Sequence, residues 1–129
     1  MATDTMKDNT LAFFAEAVNR NDFTLDITLN VKGAVITGTM VSAGKYFESL
    51  SETFEGSGDV AEALSEQLAH AGENAQSTNG GSPSFIHLEG AKVYCGDARP
   101  TPSQGDILWR GKLSEVDGFF LGKIHDNED

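Results

Sequence analysis

A single cysteine, Cys95, is all the thiol chemistry the chain carries. One thiol excludes an internal disulfide and cannot supply the several ligands of a structural zinc site. No stretch of 18 residues is apolar throughout, so none reads as a membrane-spanning helix. Met1 to Lys7 has neither the basic start nor the apolar run of a signal peptide, and the chain reads as cytoplasmic. Basic residues are scarce, nine Lys and Arg against 20 Asp and Glu, for a net charge of −11. That balance disfavours nucleic acid and anionic membrane as partners, because both need cationic surface to displace their counterions.

Catalytic and cofactor spacings are missing too. The glycines form neither GxGxxG nor GxxxxGK[ST], so there is no phosphate cradle. His70, His87 and His125 show no HxxxH or HxH spacing, and they read as surface or structural histidines. No metal or cofactor is expected. Cys95 stands beside Gly96 and Asp97, and a neighbouring carboxylate does nothing to favour the thiolate a nucleophile needs, so it reads as structural. Glu115 and Asp117 resemble an acid–base pair only in spacing; in a tight turn they more simply stay solvated or cap amides.

What is present begins with enough apolar material for a core: 129 residues, 39% hydrophobic, with eight Phe. One domain is expected over residues 1–129. Leu11, Phe14 and Val18 make one stripe of a helix over residues 9–20, capped by Asp8 or Asn9. Residues 23–41 alternate with period two on both sides of Lys32-Gly33, which predicts a hairpin placing Leu29 opposite Ile36, Leu25 opposite Met40 and Gly38 opposite Ile27. A glycine at that point implies a bend or the close approach of another backbone.

Ser42 opens a helical insertion over residues 42–71, broken near Gly56 to Gly58, with Tyr46, Phe47, Leu50 and Phe54 on one face of its first part. In the second part Val60, Leu64 and Leu68 recur as on a helix lying against a surface, with Asp59 as its cap. Residues 72–84, GENAQSTNGGSPS, have no large apolar side chain and read as a flexible loop. Strands return over residues 85–124, with an irregularity at Glu89-Gly90 and a turn at Asp117-Gly118, and residues 125–129 are an acidic tail.

Charge follows this division. The strand-bearing residues 23–41 and 85–124 each sum to zero, whereas residues 42–84 carry one Lys against seven acids. The chain is thus a neutral sheet with an acidic helical arm, and Glu52, Glu55, Glu62 and Glu66 are the candidate interaction residues on that arm. Arg110 and Lys112, with Lys123 nearby, form a candidate basic strip able to receive an acidic helix from another copy. The expected fold is α+β: an N-terminal helix, a curled antiparallel sheet of about five strands resembling an Sm-like or SH3-like small barrel, and a helical insertion after the first hairpin.

Three segments, FTLDITLNVKGAVITGTMVSAGKYFESLSETF, FIHLEGAKVYCGD and ILWRGKLSEVDGFFLGKI, together resemble the gas vesicle accessory family of gas vesicle protein U. The resemblance implies a non-catalytic accessory protein that forms, modifies or clusters gas vesicles. Its partners would be the vesicle shell, other accessory proteins or further copies of itself. A shell subunit would instead present a continuous apolar surface, which an acidic chain with broken strands does not. Two readings from other classes stand beside it. One is a ligand-binding or enzymatic barrel with a pocket lined by Tyr94, Trp109 and Phe119; the other is a nucleic-acid-binding barrel, which the charge opposes.

Overall fold

The computed structural model describes residues 8–21, 23–56, 58–77, 84–96, 100–102 and 107–124. Helix α1 (Asn9–Asn21) begins at Asp8, whose carboxylate accepts from the amides of Thr10 (2.9 Å) and Leu11 (3.2 Å). Strands β1 (Leu25–Val31) and β2 (Ala34–Val41) pair in the expected register, Leu25 with Met40, Ile27 with Gly38 and Leu29 with Ile36. Lys32 and Gly33 both take positive φ, as a two-residue turn matched to strand twist requires.

Helix α2 (Ala43–Glu52) follows at once. The Ser42 hydroxyl accepts from the Lys45 amide at 3.0 Å, and Asn19 at the end of α1 accepts from the Ala43 amide at 2.9 Å. After a turn comes α3 (Asp59–Ser77). The sheet resumes with β3 (Phe85–Tyr94), β4 (Ile107–Lys112) and, past a 3-10 turn at Leu113–Glu115, β5 (Gly118–Leu121).

Among the described residues all five strands are antiparallel in the order β4-β3-β2-β1-β5. Leu29, Ile36, Met40, Ile86 and Leu88 point to one face and pack with Leu11, Ala15 and Val18 of α1 into a single core. The other face carries two covers. α2 lies over β3 and β4. At the far side, Gly122 (φ 113°) turns the chain back, so that Ile124 donates to the Thr37 hydroxyl (2.9 Å) and Thr28 to the Gly122 carbonyl (2.8 Å).

The sheet does not close into a barrel. β4 pairs only with β3 and β5 only with β1, and β5 is four residues long before Gly122 turns it away. The sheet is open, but it cannot be flat. Five flat strands would hold their edges about 19 Å apart, at about 4.8 Å per step. The connection Leu113–Asp117, partly a 3-10 turn rising only about 2 Å per residue, spans about 16 Å. The sheet must curl to let the chain cross.

The irregularity at Glu89-Gly90 is a register shift in both ladders of β3, beside Gly38. A Cβ on Gly38 would stand 3.0 Å from the Glu89 carbonyl oxygen and 3.1 Å from the Ala91 Cα. Both are backbone atoms, so Gly38→Ala should lower stability by about 1 kcal/mol in urea unfolding, and an unchanged midpoint would refute the close approach.

Two helical features differ from expectation. α3 continues to Ser77, six residues into the segment read as a loop; residues 78–83 and the acidic tail lie outside the described residues. A lack of large apolar side chains does not stop a helix that has no Pro to break it. Nor does the Val60–Leu64 stripe lie on a surface. Val60 is 76% and Leu64 45% exposed while Leu68 is half-buried, and α3 packs on α2 where Ser65 is buried, with no substantial contact to any strand among the described residues.

Candidate interaction site

Three of the six candidate residues, Glu52, Glu62 and Glu66, sit on α2 and α3, and Glu55 lies in the turn Thr53–Gly56 from which the two helices diverge. The divergence leaves an open groove of about 640 Å³ lined by Ser51 and Glu55 on one side and Glu62, Ser65 and Glu66 on the other. Ser51 and Ser65 are both buried at the contact, and small side chains there let the helices approach. Gly56 donates its amide to Glu62 at 2.8 Å, closing the turn and fixing one carboxylate at the rim. Glu55, Glu62 and Glu66 therefore share the groove. Glu52 is exposed nearby but does not line it.

A second cluster forms where α2 meets β3 and β4. The β3–β4 register sets His87 opposite Arg110, and Tyr46 and Phe47 close over the pair with ring centroids 4.7 and 6.0 Å from the imidazole. Arg110 donates Nε–H to His87 Nε2 at 3.2 Å, which puts the imidazole proton on Nδ1. Its guanidinium lies 3.9 Å from the Phe85 ring centroid and 5.6 Å from that of Phe47. Burial of the ring, reinforced by the Arg110 charge, lowers the His87 pKa from 6.5 to about 4. Ser49 Oγ donates to Glu89 Oε2 at 2.8 Å and adds a second pin between α2 and β3.

This cluster changes the reading of the basic strip. Arg110 is occupied in holding α2 to the sheet, Lys112 follows it on the same strand, and Lys123 succeeds β5 at the opposite edge. The sheet order thus sets Lys123 apart from Arg110 and Lys112. The Tyr94, Trp109 and Phe119 pocket also fails, because β-sheet alternation divides them. Trp109 and Phe119 pack against the core beside Leu88 and Leu29, whereas Tyr94, next to inward-facing Val93, is on the other face.

Asp117 caps an amide, as expected, but across the fold: its Oδ2 accepts from the Lys32 amide at 2.9 Å. Exposed Lys32 also approaches Glu115 at 3.3 Å. Cys95 is exposed, and His125 falls outside the described residues. Among the described residues no group of His, Cys, Asp and Glu is arranged to hold a metal ion, and no helix is long and apolar enough to cross a membrane.

The sequence offered no direct signal for the His87–Arg110 cluster, since its members come from three elements joined only by tertiary register. Pairing His87 with Arg110 across a correctly aligned β3–β4 ladder would have found it.

No curated protein and no solved structure matches the chain. The family model described as Gas vesicle protein GvpU-like matches residues 8–124, from the cap of α1 to the strap after β5. The chain belongs to this GvpU-like family of gas vesicle accessory proteins.

Proposed function

We propose that the protein acts without catalysis, by associating through its α2–α3 arm with the gas vesicle shell, with other accessory proteins or with further copies of itself. That association forms, modifies or clusters vesicles, and its place is the cytoplasm at the vesicle surface. The observation that carries the reading is that α3 packs chiefly on α2, with no substantial contact to any strand among the described residues. Over residues 59–71 of that helix only Ser65 is buried, so this part does little for the core. Its carboxylates face the groove on one side, and Val60 and Leu64, about half a turn away from Glu62, are exposed on the other. Exposed apolar side chains on a charged rod favour contact with another surface.

The test is co-sedimentation and clustering with purified gas vesicles. Replacing Glu52, Glu55, Glu62 and Glu66 by Gln should reduce association severalfold, and raising the ionic strength of the unaltered protein should do the same, because exposed charges are screened within about 10 Å at 0.1 M salt. Association insensitive to both would eliminate the electrostatic arm.

A further inference from the structure

The groove between α2 and α3 has a one-sided lining. Glu55, Glu62 and Glu66 border it, and among the described residues no basic side chain does. Carboxylates turned toward one space repel one another unless a cation lies among them, but water and salt screen such charges, and carboxylates alone do not make a site.

Ser65 adds a separate observation. It is only 7% exposed, it lines the same groove, and its hydroxyl has no hydrogen-bond partner among the described residues. Among those residues no fully sealed side-chain oxygen or nitrogen lacks a partner, so the Ser65 hydroxyl opens into the groove. Ser51 opposite it differs, its hydroxyl donating to the Glu48 carbonyl at 2.8 Å. A nearly buried hydroxyl without a bond in its own helix can accept from a donor that enters the groove.

We propose that this groove receives a Lys- or Arg-bearing segment of a partner protein, whose ammonium or guanidinium bonds the Ser65 hydroxyl and lies among Glu55, Glu62 and Glu66. The inference rests on the arm-mediated association proposed above and names the chemical class of its partner. Charge selects the occupant. A second copy brings its own net charge of −11, and its Arg110 is already stacked on Phe85 and bonded to His87. A basic segment brings the opposite sign. The volume, about 640 Å³ and open along one side, exceeds what one ammonium fills and accommodates a length of chain. Glu62, held by the Gly56 amide, supplies a fixed carboxylate, while Glu55 and Glu66 bracket it.

The experiment measures anisotropy of a labelled Lys-Ala repeat peptide on the full chain near physiological salt, with a Gln-Ala repeat as control. Glu62→Gln with Glu66→Gln should weaken binding about tenfold, and Ser65→Ala about threefold. Glu48→Gln with Glu52→Gln removes the same charge from the same arm outside the groove and should change binding less than about twofold. Circular dichroism checks that each variant is folded, and amide shifts of Glu62, Ser65 and Glu66 should move on titration.

Equal loss in the two double variants, failure of the Lys-Ala peptide to bind, or displacement by spermidine at equal amine concentration would overturn the assignment. Vesicle co-sedimentation of the same variants separates this inference from the one beneath it. Peptide binding indifferent to Glu62→Gln and Glu66→Gln removes the groove whatever the vesicles do. Vesicle association indifferent to the four Gln replacements removes the arm-mediated function and leaves the groove's peptide binding standing.

Discussion

Gly111→Ala should destabilise the protein by about 2 to 3 kcal/mol and shift the emission of its one tryptophan to longer wavelength. Gly111 and Trp109 stand two residues apart on β4, on the same face, and the indole lies across the glycine. A Cβ at position 111 would run into the six-membered ring of Trp109. The ring is packed against the core beside Leu88 and cannot swing aside without losing that contact. Displacement toward water accounts for both the lost stability and the spectral change. Urea unfolding followed by circular dichroism and by Trp109 emission measures both. Trp109→Leu in the Gly111→Ala background should recover much of the loss, since the two residues are coupled through this contact. Additive losses, or an unchanged spectrum in Gly111→Ala, would reject the stacking.

The second large effect is on acid stability. His87 is 5% exposed and its pKa falls from 6.5 to about 4, through burial first and the Arg110 charge second. The folded state therefore holds the neutral imidazole. Between pH 6.5 and 4 the unfolded chain binds a proton that the folded chain does not, so stability is full above 6.5 and declines as the pH falls toward 4. The total is about 3 kcal/mol, at about 1.4 kcal/mol for each tenfold change in proton affinity. Protonation would also place a second cation against Arg110, whose Nε–H donates to the lone pair the proton would take.

The measurement is urea stability across that window for the unaltered protein and for His87→Gln. The variant loses stability overall but should be flatter by the His87 contribution. Parallel pH profiles would show that the titration lies elsewhere. Because α2 rests on this cluster through Tyr46 and Phe47, amide exchange in α2 should quicken first on acidification.

The parts of this fold readable in advance are those set by neighbours in sequence. The hairpin register follows from alternation and one two-residue turn, and the missing side chain at Gly38 signalled a close approach that turned out to be the backbone of the β3 bulge. Ser42 announced α2 by its hydroxyl. Closure was not readable, because whether β4 and β5 meet depends on how far four ladders curl and on where Gly122 turns the chain. The inward face of α3 was misleading for a related reason. A hydrophobic stripe at Val60, Leu64 and Leu68 suggested burial, whereas Val60 and Leu64 are exposed, Leu68 is half-buried, and the residues buried where α3 meets α2 include Ser51 and Ser65. Of the candidate residues, Glu55, Glu62 and Glu66 converge because a turn folds α3 back on α2, which their spacing alone could not establish.

The pairing of β5 with β1 also fixes an order of events. Thr28 and the Gly122 carbonyl it bonds are 94 residues apart, and Lys32 is joined to Asp117 across 85. As the chain is synthesised, the first hairpin emerges with the outer edge of β1 unpaired and with the Thr28–Thr37 hydroxyl pair uncovered. β5, the last of the described strands, supplies the partner for that edge, and the residues after it supply the strap for those hydroxyls. Contacts this distant are slow to form. Until they do, the nascent sheet has an adhesive border, and a chain cut short before Gly118 would keep it permanently.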